Sequence, residues 1–153
     1  MSAPSERLRG LGLTLPPVAA PVADYVPAVR TGNLVYTSGQ LPFVGGELPT
    51  TGKVGDAVTL DEAVQQARDA TLNALAAAAE QAGGLDAITR VLKLTVYVAS
   101  SPFFTEQPKV ANGASLLLGE IFGADGEHAR SAVGVAALPL DAAVELELLV
   151  EVN

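Results

Sequence analysis

The C-terminal stretch HARSAVGVAALPLDAAVELELLVEV, residues 128–152, decides the fold of this 153-residue chain. Apolar residues at the even positions of 144–152 alternate with residues that are mostly glutamate. This period of two predicts a β-strand with one face in the core and with Glu145 and Glu147 on the opposite, polar face. The Leu-Pro-Leu-Asp segment at 138–141 separates this strand from an apolar run before it, so the stretch predicts two strands.

The segment TLDEAVQQARDATLNALAAAAEQAGG, residues 59–84, predicts a long helix. Thr59 followed by Glu62 is typical of a capping box at a helix start, and two glycines supply the stop. Small residues at helical spacing indicate an axis that lies close against a sheet. Residues 90–99, RVLKLTVYVA, predict a strand of alternating faces. The side chains expected on its core face are Leu92, Leu94, Val96 and Val98.

The N-terminal part has a different character. Residues 1–24 are rich in proline and predict an extension wrapped on the surface, with one short helical turn from Ser5 to Leu11. Two apolar runs follow, separated by the turn signal RTGN, and predict a β-hairpin with strands near 26–30 and 33–38.

A second helix is expected from Glu106 or Lys109 to Ile121, with Pro108 in its first turn. The order ββαβαββ predicts an α+β fold, in which a mixed sheet carries both helices on one face. The domain proper is expected to span residues 25–153.

Composition excludes several classes of function. The formal charge is −8 and the nine cationic residues are scattered, which argues against nucleic-acid binding. With no cysteine and a single histidine, a disulfide framework, a thiolate nucleophile and a multi-histidine metal cage are excluded. No secretory signal and no membrane-spanning segment is apparent, so a cytoplasmic location is expected.

Arg130 and Glu145 are the main candidates for chemistry. An arginine at the start of a core strand must meet an anion, because it cannot lose its charge on burial, and its planar fork suits a substrate carboxylate. The alternative is a structural ion pair with Glu145 or Glu147 on a neighbouring strand. Glu145 could orient or deprotonate water if Arg130 shares its polar face, whereas alternating glutamates are more often solvated.

Weaker signals lie elsewhere. Ser38, Gly39 and Gln40 end a strand, where a glycine permits close approach of a ligand to the backbone, or simply an exit into a turn. Tyr25 could line a pocket or cover the edge of the core. His128 has no second ligand or orienting acid at a recognisable spacing, so we interpret it as a surface or capping histidine.

Three segments together resemble the RidA (YjgF) family of reactive-intermediate deaminases. They are GNLVYTSGQLP at 32–42, the alanine-rich helix before VLKLTVYVAS, and the closing stretch from His128. The closing stretch is the most specific: an arginine followed by serine, a short apolar strand, Leu-Pro, and a strand that begins Val-Glu-Leu-Glu. The resemblance runs from about Tyr25 to the C-terminus.

This resemblance implies a chorismate-mutase-like fold and a homotrimer with clefts between subunits. It also implies hydrolysis of 2-aminoacrylate and related enamines or imines to 2-oxo acids and ammonia, without metal or cofactor. By resemblance, Arg130 clamps the substrate carboxylate and Glu145 directs water. Ser38 and Gly39 face the ligand, and Tyr25 closes the pocket.

The chain departs from the family pattern at several places near this pocket. Asp24 and Pro27 replace familiar residues, and Ala132 takes a position that is often cysteine. Ser115, or Asn112 under another alignment, stands where the family often has a substrate-binding asparagine. These departures indicate a divergent branch whose substrate need not be 2-aminoacrylate.

Two other functions remain open. A trimeric module could hold a small carboxylate in the same cleft without turnover. Ribonuclease action is sometimes attached to the family, but the acidic composition disfavours it.

Overall fold

The computed structural model describes residues 2–21 and 23–153. The strands are β1 (Ala28–Thr31), β2 (Leu34–Thr37), β3 (Ile88–Ala99), β4 (Ala129–Val135) and β5 (Val144–Val152). The helices are α1 (Pro4–Gly10), α2 (Leu60–Ala82) and α3 (Gln107–Phe122). Short 3-10 turns lie at Leu85–Ala87, Gly123–Gly126 and Pro139–Asp141.

The strands form one mixed sheet in the order β1-β2-β5-β3-β4. Only the β3–β4 pair is parallel, and α3 forms the crossover between these two strands. Helices α2 and α3 pack against each other and against the same face of the sheet. The predicted α+β fold with two helices on one face is therefore confirmed.

The alternation predicted for β5 is confirmed, while that of β3 needs a correction. Every second side chain of β5 is buried, from Val144 to Val152. In β3 the register against β5 shifts between Val91 and Lys93. Because of this irregularity Val91 is buried and Leu92 is only half-buried, so the prediction that Leu92 faces the core is wrong.

Helix α2 has the ends that its sequence predicts. The Thr59 hydroxyl oxygen accepts a hydrogen bond from the Glu62 amide at 3.1 Å. This is the only bond of the expected capping box found among the described residues. The helix ends at Gly83, whose φ of 94° is readily adopted only by glycine. Alanines on the buried face let the axis approach the sheet closely.

The N-terminal segment is more than a surface extension. Helix α1 buries Leu8 to 5% exposure, and this side chain belongs to the main core. The Asp86 carboxylate accepts bonds from the Ser5 amide at 2.8 Å and from the Ser5 hydroxyl at 2.7 Å. These contacts attach α1 to the rest of the domain. The sequence predicts only a surface extension here because prolines dominate the residues after α1.

The contact between α2 and α3 depends on Gly113. A Cβ atom at this position would overlap the backbone carbonyl of Val64 in α2. We expect Gly113→Ala to lower the free energy of unfolding by about 2 kcal/mol, because the two helices would have to separate. Gly119 lies in the same helix with open space around it, and Gly119→Ala should raise stability by about 0.5–1 kcal/mol through helix propensity.

Urea unfolding of both variants beside the wild type measures these changes. Equal effects of the two substitutions would contradict the assigned helix contact.

Candidate active site

Arg130 lies on β4, one of the two edge strands of the sheet, and projects to the helix side. Its register partner is Leu94, whose side chain is fully buried under the helices. Register partners in a sheet point to the same face. Arg130 therefore does not share the polar face of Glu145, and that expectation is wrong.

The guanidinium of Arg130 is held by neutral groups. Its Nη1 donates to Asn112 Oδ1 at 2.8 Å and to Ser115 Oγ at 3.2 Å, both on α3. Nε and Nη2 have no protein partner among residues 2–21 and 23–153. The expected alternative, an ion pair with Glu145 or Glu147, does not form among these residues. The half-buried guanidinium thus has a positive charge and two free N–H groups, Nε and Nη2, with which it could bind an anion from outside the chain.

His128 joins the same group of polar side chains. Its Nε2 lies 2.9 Å from Ser115 Oγ, and its Nδ1 lies 2.6 Å from the Gly126 carbonyl oxygen. The imidazole is half-buried and bonds to the Gly126 carbonyl at the end of a 3-10 turn, so of the two predicted roles the structure agrees with a capping histidine and not with a surface one. Its spacing in the sequence could not have shown this, because Ser115 comes from α3 and meets His128 only in the fold.

Glu145 lies at the other side of the sheet, opposite Tyr97 in the register. A Cβ atom at Gly39 would overlap the Glu145 carboxyl group, so only glycine lets this side chain lie over the backbone. Burial, and secondarily the negative charge of Glu147, raise the pKa of Glu145. Part of the Glu145 population therefore keeps its proton at a pH where an ordinary glutamate has lost it.

The hydroxyl of Tyr97 adds to this acidic group. It donates to Glu147 Oε1 at 3.2 Å. Burial is the main cause that raises the pKa of Tyr97, followed by the charge of Glu147. Tyr97 is thus a neutral donor beside the two glutamates.

A cleft of about 130 Å³ opens next to Gly39. Tyr25, Pro27 and Leu140 supply apolar walls, so the structure brings Tyr25 and Gly39 together as lining residues. Leu140 has φ 58° and ψ 23°, a left-handed conformation that a bulky residue seldom adopts. The Ser38 hydroxyl donates to the Val26 carbonyl at 2.5 Å, which ties it to the backbone that leads into β1.

The candidate residues form two groups, which are far apart within one chain. The first group is Arg130 with Asn112, Ser115 and His128, and the second is Glu145 with Gly39 and Tyr25. Two strand spacings separate β5 from β4, about 10 Å, and three residues along the strands add about 10 Å more. The groups also lie on opposite faces, so Arg130 and Glu145 of one chain cannot hold the same small molecule.

The raised pKa of Glu145 gives a prediction for stability. The folded state binds this proton more tightly than the unfolded state, so stability falls as the pH rises from the ordinary glutamate value through the folded value. Above this window the ionised carboxylate carries a desolvation cost. We expect Glu145→Gln to raise the melting temperature modestly at pH 7, and to lose this advantage near pH 4.

Thermal melts at the two pH values measure the effect, with Glu47→Gln in an exposed loop as the control. A stability gain that is the same at both pH values would contradict the assignment to this carboxyl group.

No group of three or more His, Asp or Glu side chains that could hold a metal ion occurs in the part of the chain that the structure describes. Within the same residues, no helix is long and apolar enough to cross a membrane. The cytoplasmic location stays a prediction.

Comparisons with known proteins agree on one family. The family model described as "YjgF/chorismate mutase-like, putative endoribonuclease" matches residues 5–152. Protein TCP17 of Trypanosoma cruzi is 48% identical over 149 residues, which cover 95% of this chain and 92% of that protein.

Solved structures share the fold of this chain. Atu1372 of Agrobacterium tumefaciens, a protein of unknown function, has a TM-score of 0.90 at 45% identity, and the match covers 98% of this chain and 92% of the Atu1372 chain. TdcF of E. coli, solved with bound serine, has a TM-score of 0.66 at 26% identity, and the match covers 91% of this chain and 94% of the TdcF chain.

Proposed function

The chain belongs to the YjgF/RidA family, and from this membership we propose that it hydrolyses small 2-enamino or 2-imino acids to 2-oxo acids and ammonia. In this proposal Arg130 clamps the substrate carboxylate and Glu145 handles the water. Neither residue needs a metal or a cofactor for these roles.

The state of Arg130 carries the proposal. Its guanidinium is fixed at Nη1 by an amide and a hydroxyl, which leave its charge uncompensated. Nε and Nη2 lie side by side on a guanidinium and match the two oxygens of a carboxylate. A buried structural arginine would instead be paired with a protein carboxylate.

Glu145 supplies the acid and base that the reaction needs. The reacting form is the protonated imine. As water adds to C2, the Glu145 carboxylate takes one of its protons, which gives a neutral carbinolamine. Glu145 then returns this proton to the amine nitrogen. As the C–N bond breaks and ammonia leaves, the carbinolamine hydroxyl gives its proton to the Glu145 carboxylate, which forms the 2-oxo acid, and ammonia finally takes this proton and leaves as ammonium. The raised pKa of Glu145 suits both halves of this transfer, since the proton must be easy to gain and to give.

Since one chain holds the two groups apart, the proposal requires a second copy. A ring of three identical subunits, as the family resemblance implies, could place Arg130 of one copy beside Glu145 of the next. The sheet face opposite the helices supports such packing, because three large apolar side chains on it are exposed: Val29 by 53%, Tyr36 by 48% and Val133 by 45%.

The test is turnover of an imine made in place. A pyridoxal-phosphate dehydratase acting on threonine supplies 2-iminobutanoate, and its decay is followed with and without the purified protein. We expect a shorter lifetime in proportion to the protein added. An unchanged lifetime, with the protein folded and trimeric, would refute the proposed hydrolysis.

Binding without turnover is the second candidate. The serine found in TdcF, a related structure, is a small amino acid with a carboxylate, which favours this candidate. It predicts a higher melting temperature in the presence of 2-oxobutanoate and no change in imine decay. RNA cleavage is tested with the same preparation, and the net charge of −8 leads us to expect intact RNA.

A further inference from the structure

We propose that His128 is a positioning residue that acts through Ser115 to fix the Arg130 guanidinium for carboxylate binding. The inference rests on the proposed function, in which Arg130 is the clamp. The hydrogen-bond partners of His128 are Ser115 and Gly126, and it reaches the guanidinium of Arg130 through Ser115.

The directions of the hydrogen bonds follow from the groups involved. The Gly126 carbonyl can only accept, so the 2.6 Å contact assigns the proton of the neutral imidazole to Nδ1. His128 Nε2 is then an acceptor, and the Ser115 hydroxyl donates to it at 2.9 Å. Because the Ser115 hydroxyl proton points at His128, a lone pair of Ser115 Oγ faces Arg130 Nη1, which donates to it at 3.2 Å.

The imidazole is itself held by a tightly packed turn. Gly126 is buried, and a Cβ atom there would overlap the Leu118 carbonyl of α3. The 3-10 turn Gly123–Gly126 therefore lies directly on α3, the helix that carries Ser115. The Gly126 carbonyl, His128 and Ser115 form one continuous chain of hydrogen bonds that ends at Arg130.

Without His128, the Ser115 hydroxyl has another acceptor within its own helix. A helical serine readily donates to the carbonyl four residues earlier, here Ala111. Arg130 would then rely on Asn112, which is exposed, as its remaining firm contact. A guanidinium with more freedom loses more entropy when it binds a carboxylate, so affinity falls while the reacting groups stay the same.

Three substitutions at one position separate positioning from mere packing. In His128→Ala both ring contacts are lost. In His128→Asn the short amide can still donate to Gly126, as Nδ1 does, but cannot reach Ser115. In His128→Gln the longer amide can accept from Ser115, as Nε2 does. Glu127→Gln, an exposed change directly after the turn, is the control.

We expect His128→Ala and His128→Asn to weaken 2-oxobutanoate binding about tenfold, the scale of one lost supporting hydrogen bond to a charged group, and His128→Gln to restore most of it. KM for 2-iminobutanoate should rise by the same factor, with kcat changed less than about twofold. Ser115→Ala should weaken binding similarly, and adding His128→Ala to it should change nothing further. Additive effects, or wild-type affinity in His128→Ala, would overturn the inference.

A spectroscopic measurement keeps this inference separate from the proposed function. His128 is the only histidine, so a ¹⁵N spectrum shows one imidazole, with Nδ1 expected to carry the proton. The Arg130 guanidinium signal, assigned by its loss in Arg130→Lys, should show faster rotation in His128→Ala. If the wild type neither binds 2-oxobutanoate nor hydrolyses the imine, the proposed function fails. An Arg130 signal unaltered in His128→Ala refutes the positioning role whatever the activity.

Discussion

Arg130→Ala is expected to lower kcat/KM for 2-iminobutanoate by about 10²–10³-fold, since two charge-assisted hydrogen bonds to the substrate carboxylate would be lost together. Binding of 2-oxobutanoate should become undetectable in a melting assay. Stability should change little, because the partners left behind, Asn112 and Ser115, are exposed or half-exposed and can bond to water. Arg130→Lys should recover only a part of the activity, because an ammonium cannot form the paired contact.

Steady-state kinetics and melting curves on the same preparations measure these effects. Arg9→Ala, at an exposed arginine of α1, is the matched control and should leave kcat/KM unchanged. An Arg130→Ala protein that retains wild-type kcat/KM would remove the clamp from the mechanism.

Mixing two inactive variants should restore activity. If each site takes Arg130 from one copy and Glu145 from the next, then Arg130→Ala and Glu145→Gln damage different halves of the site. In trimers assembled at random from equal amounts of both, about one quarter of the sites combine an intact Arg130 with an intact Glu145. Either variant alone should retain only residual activity, so the mixture should gain strongly over both.

A second mixture serves as the control for this experiment. Wild-type chains mixed equally with the double variant should give about one quarter of wild-type activity for a site between copies, and about one half for a site within one chain. Both mixtures are refolded together from denaturant and their kcat values compared. No recovery in the first mixture would place the two residues in the same chain and contradict the geometry of the sheet.

The larger features of the fold could be predicted because each depends on residues that are neighbours in the chain. The alternation of β5 needs only the two faces of a strand, and the ends of α2 need only Thr59 and Gly83. The resemblance to the RidA (YjgF) family also identified Arg130 and Glu145 as candidate site residues. These signals depend on neighbours in the chain, which a single sequence displays.

The errors arose where the structure depends on residues far apart in the chain. Leu92 lies outside the core because the register of β3 against β5 shifts next to it, and this shift depends on the partner strand. The face of Arg130 was misjudged because a short run such as ARSAV has no clear alternation. The role of His128 depends on α3, and no spacing in the sequence brings Ser115 to its imidazole.

The left-handed backbone at Leu140 and Asp141 has a consequence for how this protein could change. Glycine at either position would relax the turn before β5, and Leu140 is 61% exposed, so core packing does not require its side chain. Retaining leucine there keeps one wall of the small opening beside Gly39 in place. Glycine at position 140 would therefore favour the stability of the turn, whereas leucine keeps the cleft narrow.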